Sequence, residues 1–338
     1  MGRRLRVLFY GISHEHASGR LASLRRATDD FEIVAVVDDR GRNSARFIDP
    51  AWPIDLSGLE VIAEDAADGI NDVDFVCIET ANADLMEIAA KFAARGIPML
   101  CDKPCGESME PYATIVATCR EKGIPFHVGY MYRGNPAVRW IWENVAKGVI
   151  GDVAFVEADM NHDYGSDGYA EYISSFQGGI LYNLGCHLVD LALPVVRGEL
   201  REACAFVAAA SGDPSWAKTS GAAFLRFRGT DVVIRASSHM PGALMARRFR
   251  IDGTLGTIDL CPIERFDGGE LKLMLMRKGE EPREISFGVQ TDRYAAQLHD
   301  FARVVRGEMP NCQDYDHDLK VHEVLVMAIS NCRKTRGE

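Results

Sequence analysis

The chain has 338 residues, of which 47% are hydrophobic and 26% are charged, a composition typical of a globular protein large enough for two domains. Its 38 basic and 49 acidic side chains give a net charge of −11. This charge argues against nucleic-acid binding, which needs a concentrated basic surface. No apolar run approaches the ~20 residues of a membrane span, and the basic N-terminus leads into a strand-like run without a signal peptide. We therefore expect neither a nucleic-acid partner nor a membrane partner.

The sequence contains nine cysteines. The count is odd and no pair has the Cys-x-x-Cys spacing of a zinc or redox site. Several, such as Cys77 and Cys101, lie inside apolar runs, where a cysteine behaves as a small hydrophobic residue. Reduced thiols predict a cytoplasmic protein.

In the first part of the chain, apolar β-branched runs alternate with helical stretches. Strands are predicted over 6–10, 32–37, 73–78, 97–101 and 125–130, and helices over 17–28, 83–95 and 111–122. Gly96 is predicted to end the second of these helices. Continuous apolar strands that alternate with helices indicate a parallel sheet covered on both faces. The sequence therefore predicts a doubly wound α/β domain over residues 1–128.

The pattern changes after Gly129. A helix predicted over 136–147 precedes strand-like segments separated by turn glycines, over 153–158, 203–209, 222–227, 232–237, 248–251, 257–260 and 271–276. Helices are predicted to close the chain over 294–306 and 316–332. Short connections favour antiparallel pairing. We expect residues 129–338 to form an α+β domain with an open, mostly antiparallel sheet, and the C-terminal helix is a candidate to pack back on the first domain.

The turn after the first predicted strand is the first candidate site. A dinucleotide-binding turn would carry glycines at positions 11, 13 and 16, and this chain keeps only the first. The turn still opens a helix, whose unpaired N–H groups attract phosphate. This position favours phosphate binding over an ordinary polar turn, with a contact set of Gly11, Ile12, Ser13 and His14. His14 and His16 are two residues apart and do not share a helix face, so no metal site is predicted.

The second predicted strand ends at Asp38. A carboxylate there accepts hydrogen bonds from the adenosine ribose and repels a 2′-phosphate, which favours NAD. Arg40 and Arg42 keep NADP as the alternative, and a simple turn cap by Asp38 and Asp39 is the structural alternative. Two further cofactor contacts are expected after the strand over 73–78: Thr80 and Asn82. Both are also ordinary helix-capping types.

Lys103 follows the predicted strand over 97–101 and precedes Pro104. The proline restricts Lys103 to an extended conformation and so fixes its direction. A lysine ammonium near a nicotinamide can donate a hydrogen bond to an alcohol oxygen and lower its pKa. The alternative is a surface lysine in a loop.

The segment from Gly178 to Asp190 carries the second candidate acid–base group. Asn183 and His187 are four residues apart, so they share one face of a helix. Gly185 lies between them and lets a ligand or another element approach. An imidazole with a pKa near 6.5 is suited to accept and return one proton. The alternative is a buried structural histidine.

Four motifs together resemble one family. The run Asp102-Lys103-Pro104 resembles a Glu-Lys-Pro motif, and Gly178 to His187 resembles Gly-Gly-Gly-x-Leu-x-Asp-x-Gly-x-His. Thr80-Ala81-Asn82 resembles a Thr-Pro-Asn turn, and Tyr132-Arg133-x-x-Pro136 resembles the start of a second domain. In this order and spacing, the motifs resemble the Gfo/Idh/MocA family of NAD(P)-dependent oxidoreductases over nearly the whole chain.

The resemblance implies a Rossmann domain followed by an open mixed sheet that often forms oligomer contacts, here a dimer or tetramer. It implies hydride transfer between a hydroxyl-bearing carbon of a sugar, cyclitol or related polyol and nicotinamide C4. It also implies that Asp102 and Lys103 contact the cofactor and that Lys103 and His187 are the catalytic pair. His187 would accept the hydroxyl proton and Lys103 would stabilise the alkoxide, so we expect the two side chains to converge on the nicotinamide carbon.

The expected substrate contacts are Tyr132, Arg133, Asn161, Asp163, Asn183 and His187. Three departures from the family pattern accompany them: the glycine fingerprint is reduced, Asp102 replaces a glutamate, and Asn183 stands where relatives commonly have a carboxylate. Asn183 also belongs to the expected catalytic set, through hydrogen bonds to a substrate hydroxyl. Asn183 and the reduced fingerprint support an alternative, a cofactor-binding sensor or partner protein with little turnover. A third alternative is a metal-dependent lyase that uses His14, His16 or His162.

Overall fold

A computed structural model describes residues 3–48, 51–164, 168–311 and 314–334. The chain divides into two compact units. The first comprises Met1–Met131 and Tyr294–Leu319, and the second comprises Tyr132–Arg293 and Lys320–Glu338. The chain therefore leaves the first unit after Met131, and a later helical segment belongs to that unit again.

In its described part, the first unit contains a six-stranded sheet. The strands are β1 (Leu5–Tyr10), β2 (Phe31–Asp38), β3 (Val61–Ala63), β4 (Phe75–Ile78), β5 (Met99–Cys101) and β6 (Phe126–Val128). The helices are α1 (Ala17–Arg26), α2 (Glu64–Ala67), α3 (Leu85–Arg95) and α4 (Met109–Lys122), with α8 (Ala295–Val305) and the start of α9 (Tyr315–Ser330). The strand order is β3-β2-β1-β4-β5-β6 with parallel pairs throughout. This arrangement confirms the predicted doubly wound domain.

The parallel sheet is covered on both faces, which explains its uninterrupted apolar strands. All four residues of β4 are buried, and Phe75 packs against Phe301 of α8 with ring centroids 5.1 Å apart. Gly96 ends α3 with φ +73°, and its N–H bonds to the carbonyls of Ala93 and Phe92, as predicted. The strand order reverses between β1 and β4, so the carboxyl ends of these strands flank the position where such folds bind ligands.

The second unit contains a nine-stranded sheet in its described residues. Its strands are β7 (Val153–Asn161), β8 (Leu200–Ala208), β9 (Ser220–Phe227), β10 (Asp231–Ser237), β11 (Arg248–Gly253), β12 (Gly256–Leu260), β13 (Glu270–Arg277), β14 (Arg283–Val289) and β15 (Cys332–Lys334). The helices are α5 (Pro136–Ala146), α6 (Tyr169–Ser174), α7 (Gly179–Ala192) and the remainder of α9.

The order of this second sheet is β14-β13-β12-β11-β7-β10-β9-β8-β15. The pairs β7–β10 and β8–β15 are parallel, and the other neighbouring strands of the described sheet pair antiparallel, which confirms the mostly antiparallel sheet. The closing helix predicted to Cys332 is wrong at its end, because α9 ends at Ser330 and Cys332 begins β15. Strand β14 was not predicted, since its burial pattern is largely exposed and lacks an apolar face.

Helix α7 is buried along its whole length, and glycines bring it close to its neighbours. A Cβ on Gly185 would lie 3.1 Å from Leu181 and 3.6 Å from Ile234 of β10. A Cβ on Gly179 would lie 2.4 Å from the Cβ of Lys218, and Gly179 has φ +52°. The element that approaches Gly185 is therefore the sheet, and this packing holds Asn183 and His187 in fixed positions.

The composition predicted reduced cysteines and no membrane span. The cysteines in the described part of the chain are free thiols, whereas Cys312 lies outside the described residues. Within the described segments, none of the helices combines the length and the apolar character needed to cross a bilayer.

Candidate active site

The β1–α1 turn packs directly against the exit of β4. Gly11 has φ +92°, and a Cβ at this position would lie 2.6 Å from the backbone nitrogen of Thr80. Only glycine satisfies both the backbone conformation and the close approach. The hydroxyl oxygen of Thr80 is buried and has no hydrogen-bond partner among the described residues, so it is available to a ligand at this edge.

Asp39 orders this turn, whereas the sequence indicated it only as one of two acids that could cap a turn. The N–H of Ile12 and the hydroxyl of Ser13 both donate to Oδ1 of Asp39, each at 2.8 Å. Burial raises the pKa of Asp39, against the opposing effect of these hydrogen bonds. The signal in the sequence was the pair of consecutive acids, Asp38 and Asp39, at the end of β2. The first carboxylate was assigned to the cofactor, and the second holds the turn.

Asp38 lies at the end of β2 and is paired with Arg40. The guanidinium donates from Nε at 2.9 Å and from Nη2 at 2.6 Å, and these bonds lower the pKa of Asp38. Arg42 is instead held by Glu64 and Glu87, at 2.8 Å and 3.1 Å. A pocket of about 520 Å³ opens here, lined by Asp38, Arg40, Gly41, Val61, Ile62 and Ala63. A carboxylate beside a pocket at the end of β2 fits the adenosine half of a dinucleotide.

Lys103 follows β5 and its side chain is fully buried. Its Nζ donates to Oε1 of Glu15 at 2.9 Å. Its backbone carbonyl lies 3.0 Å from Nε2 of His14, and Nδ1 of His14 accepts from the N–H of His16 at 3.1 Å. Because Nδ1 is an acceptor, the ring proton of His14 lies on Nε2 and is donated to Lys103. The β1–α1 turn therefore holds Lys103 at its side chain and at its backbone.

The Asp102 carboxylate belongs to the same buried network. It accepts from the N–H of Lys103 at 2.7 Å, and it lies 3.2 Å from Nδ1 of His16 and 3.4 Å from Nη2 of Arg20. Although burial opposes its ionisation, His14, His16 and Arg20 hold the pKa of Asp102 well below its usual range. Burial lowers the pKa of His16 to about 4, so this imidazole is neutral at pH 7.

Glu79, at the end of β4, completes the network. It accepts from Nε of Arg20 at 3.1 Å. Burial and the neighbouring Asp102 carboxylate raise the pKa of Glu79 well above its usual value. Within this pair the negative charge is therefore favoured on Asp102, which also pairs with Arg20 at 3.4 Å.

His14, His16 and Asp102 also present three potential metal-ligand atoms within 4.8 Å of one another. Both ring nitrogens of His14 are already hydrogen-bonded, to the backbone of Lys103 and of His16. Nδ1 of His16 faces Asp102. The arrangement is therefore that of an internal hydrogen-bond network, in which a cation would have to displace existing bonds.

In the second unit, His187 of α7 lies beside Tyr132, with ring centroids 5.6 Å apart. The Tyr132 hydroxyl donates to Oε1 of Glu264 at 3.1 Å and lies 3.3 Å from Nη1 of Arg247. Burial and the Glu264 carboxylate raise the pKa of Tyr132, so the phenol stays protonated. Arg247 and Arg293 both pair with Glu264.

A series of contacts leads from Arg247 back to α7. Nη2 of Arg247 lies 3.4 Å from Nδ1 of His162, and His162 stacks on Tyr164 at 4.3 Å. Tyr164 meets Tyr169 at 4.7 Å, and Nδ2 of Asn183 donates to the Tyr169 hydroxyl at 3.4 Å. Since Asn183 and His187 are one helical turn apart, these contacts form a closed circuit, which we call the α7 ring. Its members are Tyr132, His162, Tyr164, Tyr169, Asn183, His187 and Arg247.

The structure gathers three of the predicted substrate residues, Tyr132, Asn183 and His187, in the α7 ring. Asn161 is adjacent, since its carbonyl accepts from Nε of Arg247 at 3.2 Å, and its buried side-chain amide has no hydrogen-bond partner in the described residues. Arg133 is engaged elsewhere, because its Nε lies 3.0 Å from both carboxylate oxygens of Asp190.

The remaining predicted residue, Asp163, is exposed and forms an isolated bridge with His239. Arg133 binds the carboxylate of Asp190, one helical turn beyond His187, and so anchors α7.

Sequence reasoning missed Arg247 and Glu264, because each lies in a connection before a strand and belongs to no local motif. Tyr169, the first residue of α6, was missed because it too belongs to no local motif.

The parallel sheet with its glycine turn, followed by an open-sheet unit, defines a dinucleotide-binding protein with a second domain. Residues 5–130 match the profile described as an oxidoreductase family with an NAD-binding Rossmann fold, and residues 138–259 match the GFO/IDH/MocA C-terminal domain. The chain belongs to the Gfo/Idh/MocA family of NAD(P)-dependent oxidoreductases. This confirms the resemblance and the predicted class of cofactor.

Curated relatives are distant. The D-apiose dehydrogenase of Paraburkholderia graminis is 24% identical over 184 residues, 54% of this chain and 46% of that protein. The levoglucosan dehydrogenase of Pseudarthrobacter phenanthrenivorans is 27% identical over 126 residues, 36% of this chain and 32% of that protein. The match thus spans less than half the length of each.

Solved structures resemble the chain over almost its whole length. A 3-ketoreductase from Actinomadura kijaniata, in complex with NADP and TDP-benzene, has a TM-score of 0.79 and 17% identity, covering 98% of this chain and 99% of that one. A UDP-N-acetylglucosamine 3-dehydrogenase from Acidithiobacillus ferrooxidans has a TM-score of 0.76 and 18% identity, covering 98% of both chains. At these identities the likeness establishes the fold.

Proposed function

We propose that the protein is an NAD(P)-dependent dehydrogenase that acts on a CH–OH group of a sugar, cyclitol or related polyol. The observation that carries the proposal is the buried ammonium of Lys103 at the exit of β5 in an NAD-binding fold. An ammonium that is removed from bulk water interacts more strongly with a developing alkoxide than an exposed one does. The names of the D-apiose and levoglucosan dehydrogenases support the substrate class.

In this proposal Lys103 donates a hydrogen bond from Nζ to the substrate oxygen. His187 accepts the hydroxyl proton at a ring nitrogen during oxidation and returns it during reduction. A bound nicotinamide supplies the hydride acceptor or donor. The chain contributes orientation and charge, and Arg133 supports His187 by anchoring α7 through Asp190.

The α7 ring supports a polyhydroxylated substrate. It combines aromatic faces, which pack against the C–H faces of a sugar, with hydroxyl and amide groups that exchange hydrogen bonds with substrate hydroxyls. Asn183 is suited to a neutral hydroxyl because its amide both donates and accepts. Asn161 is a second candidate contact, since its buried amide has no partner among the described residues.

We propose NAD as the preferred dinucleotide, because Asp38 is held ionised at the end of β2. Arg40 leaves binding of NADP open as the weaker alternative, since a guanidinium beside the ribose can pair with a 2′-phosphate. We also propose a homo-oligomer, supported by exposed apolar side chains on the second sheet, such as Phe206 and Val289.

The test compares Lys103→Met and His187→Asn with two exposed controls, Lys91→Met and His299→Asn. Binding of NADH is followed by fluorescence, and turnover is measured on a panel of sugars, cyclitols and aldonates. We expect each active-site variant to lose about 10²–10⁴-fold in turnover while NADH affinity stays within about threefold, and we expect the controls to behave as wild type. NADH binding without turnover on any panel member would favour the sensor alternative and reject the proposal.

A further inference from the structure

An acidic side chain occupies the phosphate-binding turn of the first unit. Glu15 directly precedes position 16, where the third fingerprint glycine is expected, and its side chain is 4% exposed. A carboxylate at this place repels a dinucleotide pyrophosphate unless a cation neutralises it. Oε1 of Glu15 accepts a hydrogen bond from the ammonium of Lys103 at 2.9 Å and lies 3.8 Å from Nε2 of His16, a ring that is neutral at pH 7. Cofactor binding therefore does not explain why this turn contains a glutamate, whereas the contact with Lys103 does.

The physical reason for the pair lies in the burial of Lys103. A fully buried ammonium without an opposite charge tends to lose its proton, because desolvation disfavours the charged form. Its other neighbour in the turn, His14, contacts the backbone carbonyl rather than Nζ. His16 is neutral and cannot repel the ammonium with a full charge. Glu15 is thus the carboxylate in direct contact with Nζ.

Other titratable groups connect to this pair from each packed element of the first unit. They belong to the β1–α1 turn, to α1, to the exit of β4 and to the exit of β5: His14, His16, Arg20, Glu79 and Asp102. Asp102 pairs with Arg20, and burial together with the Asp102 charge disfavours the ionised form of Glu79. Glu15 is therefore the carboxylate that offers the ammonium of Lys103 a direct ion pair.

We propose that Glu15 is a positioning residue for Lys103: its carboxylate keeps the buried amine as an ammonium and orients it through the hydrogen bond from Nζ to Oε1. The inference rests on the proposed function only for its catalytic consequence, and the Lys103–Glu15 pair itself is testable without a substrate. The turn that binds the dinucleotide then also sets the charge of the catalytic lysine.

The first measurement follows the Lys103 amine directly by NMR of protein labelled with [ε-¹⁵N]lysine. The Lys103 signal is identified by its loss in Lys103→Met. We expect this signal to report an ammonium at neutral pH in wild type and to titrate at a pH lower by about one unit or more in Glu15→Gln. Glu15→Asp should give an intermediate value, and the exposed control Glu121→Gln should leave the titration unchanged. An unchanged titration in a folded Glu15→Gln would overturn the inference.

The second measurement uses a substrate identified in the panel. Loss of the ammonium with rising pH sets the alkaline limit of kcat/KM, so Glu15→Gln should move this limit to lower pH by the shift seen in the NMR titration. NADH affinity should be unchanged or higher, since a negative charge leaves the phosphate-binding turn. A uniform fall in activity at every pH with weaker NADH binding would indicate a purely structural role and reject the proposal. If the NMR shift occurs but no panel member is turned over, the Lys103–Glu15 pair stands and the proposed function fails.

Discussion

Gly11→Ala tests whether the β1–α1 turn is built on a steric requirement. Alanine at φ +92° carries a backbone cost of roughly 1–2 kcal/mol. In addition, its Cβ would lie 2.6 Å from the nitrogen and 2.7 Å from the Cα of Thr80, atoms of a backbone that cannot rotate away. Overpacking of this kind adds about 1–3 kcal/mol. We therefore expect a loss of about 2–5 kcal/mol in the stability of the first unit.

Gly58→Ala is the matched control. Gly58 has φ +71°, and a Cβ there meets no atom within 4 Å, so only the backbone cost of roughly 1–2 kcal/mol remains. Urea unfolding of both variants, with and without saturating NADH, separates the two contributions. Gly11→Ala should also lose NADH affinity, because relief of the clash moves the turn away from Thr80. Equal destabilisation of the two variants, or full retention of NADH affinity by Gly11→Ala, would refute the steric argument.

Two further predictions concern charged groups. Asp38→Ala should weaken NAD binding about tenfold and improve NADP binding, because the variant leaves Arg40 available to a 2′-phosphate. Arg40→Ala should shift the preference further toward NAD. Dissociation constants of each variant for NAD and for NADP test both expectations, and an unchanged preference in both variants would contradict them. Glu264→Gln should destabilise the second unit by about 3–5 kcal/mol at pH 7. Although burial opposes ionisation, Arg293 and Arg247 lower the pKa of Glu264 from 4.5, so this stabilisation is complete above pH 4.5 and is lost as the pH falls through the lower folded-state pKa. Urea unfolding should therefore show that the difference in unfolding free energy between wild type and Glu264→Gln becomes smaller in acid. A difference that does not change with pH would contradict a stabilising role for the ionised Glu264.

The fold was predictable where burial imposes a periodic pattern. Strand β4 is an uninterrupted apolar run because both faces of its sheet are covered, and α3 ends at Gly96 because the chain needs a left-handed residue there. Strand β14 escaped prediction because an edge strand with exposed residues has no such pattern. The strand at Cys332 escaped because its three residues continue a helical stretch in the sequence and pair with β8, which is distant in the chain.

The candidate site was predictable only where its residues form local motifs. Lys103 and His187 belong to short runs whose spacing is informative, whereas Arg247, Glu264 and Tyr169 are brought together by the sheet and by α7. Arg133 shows what the sequence does not contain: its motif predicts a substrate contact, and the fold also places its guanidinium against Asp190. Single-sequence reasoning assigns a role to a charged residue without knowing the partner that the fold supplies.

The departures from the family pattern in the first unit make physical sense together. His16 stands where the family pattern has a glycine, and its Nδ1 lies within hydrogen-bond distance of the Asp102 carboxylate. Asp102 stands where the pattern has a glutamate, and the space around it is confined. A Cβ on Gly129 would lie 3.1 Å from the carboxylate carbon of Asp102 and 3.1 Å from Nη2 of Arg20. A carboxylate one methylene longer would have to displace the imidazole or the guanidinium. Restoring glycine at position 16 alone would in turn remove a donor from a buried carboxylate, which is costly. The loss of the glycine and the shortening of the acid therefore compensate each other, so the reduced fingerprint is not evidence for a degraded binding site.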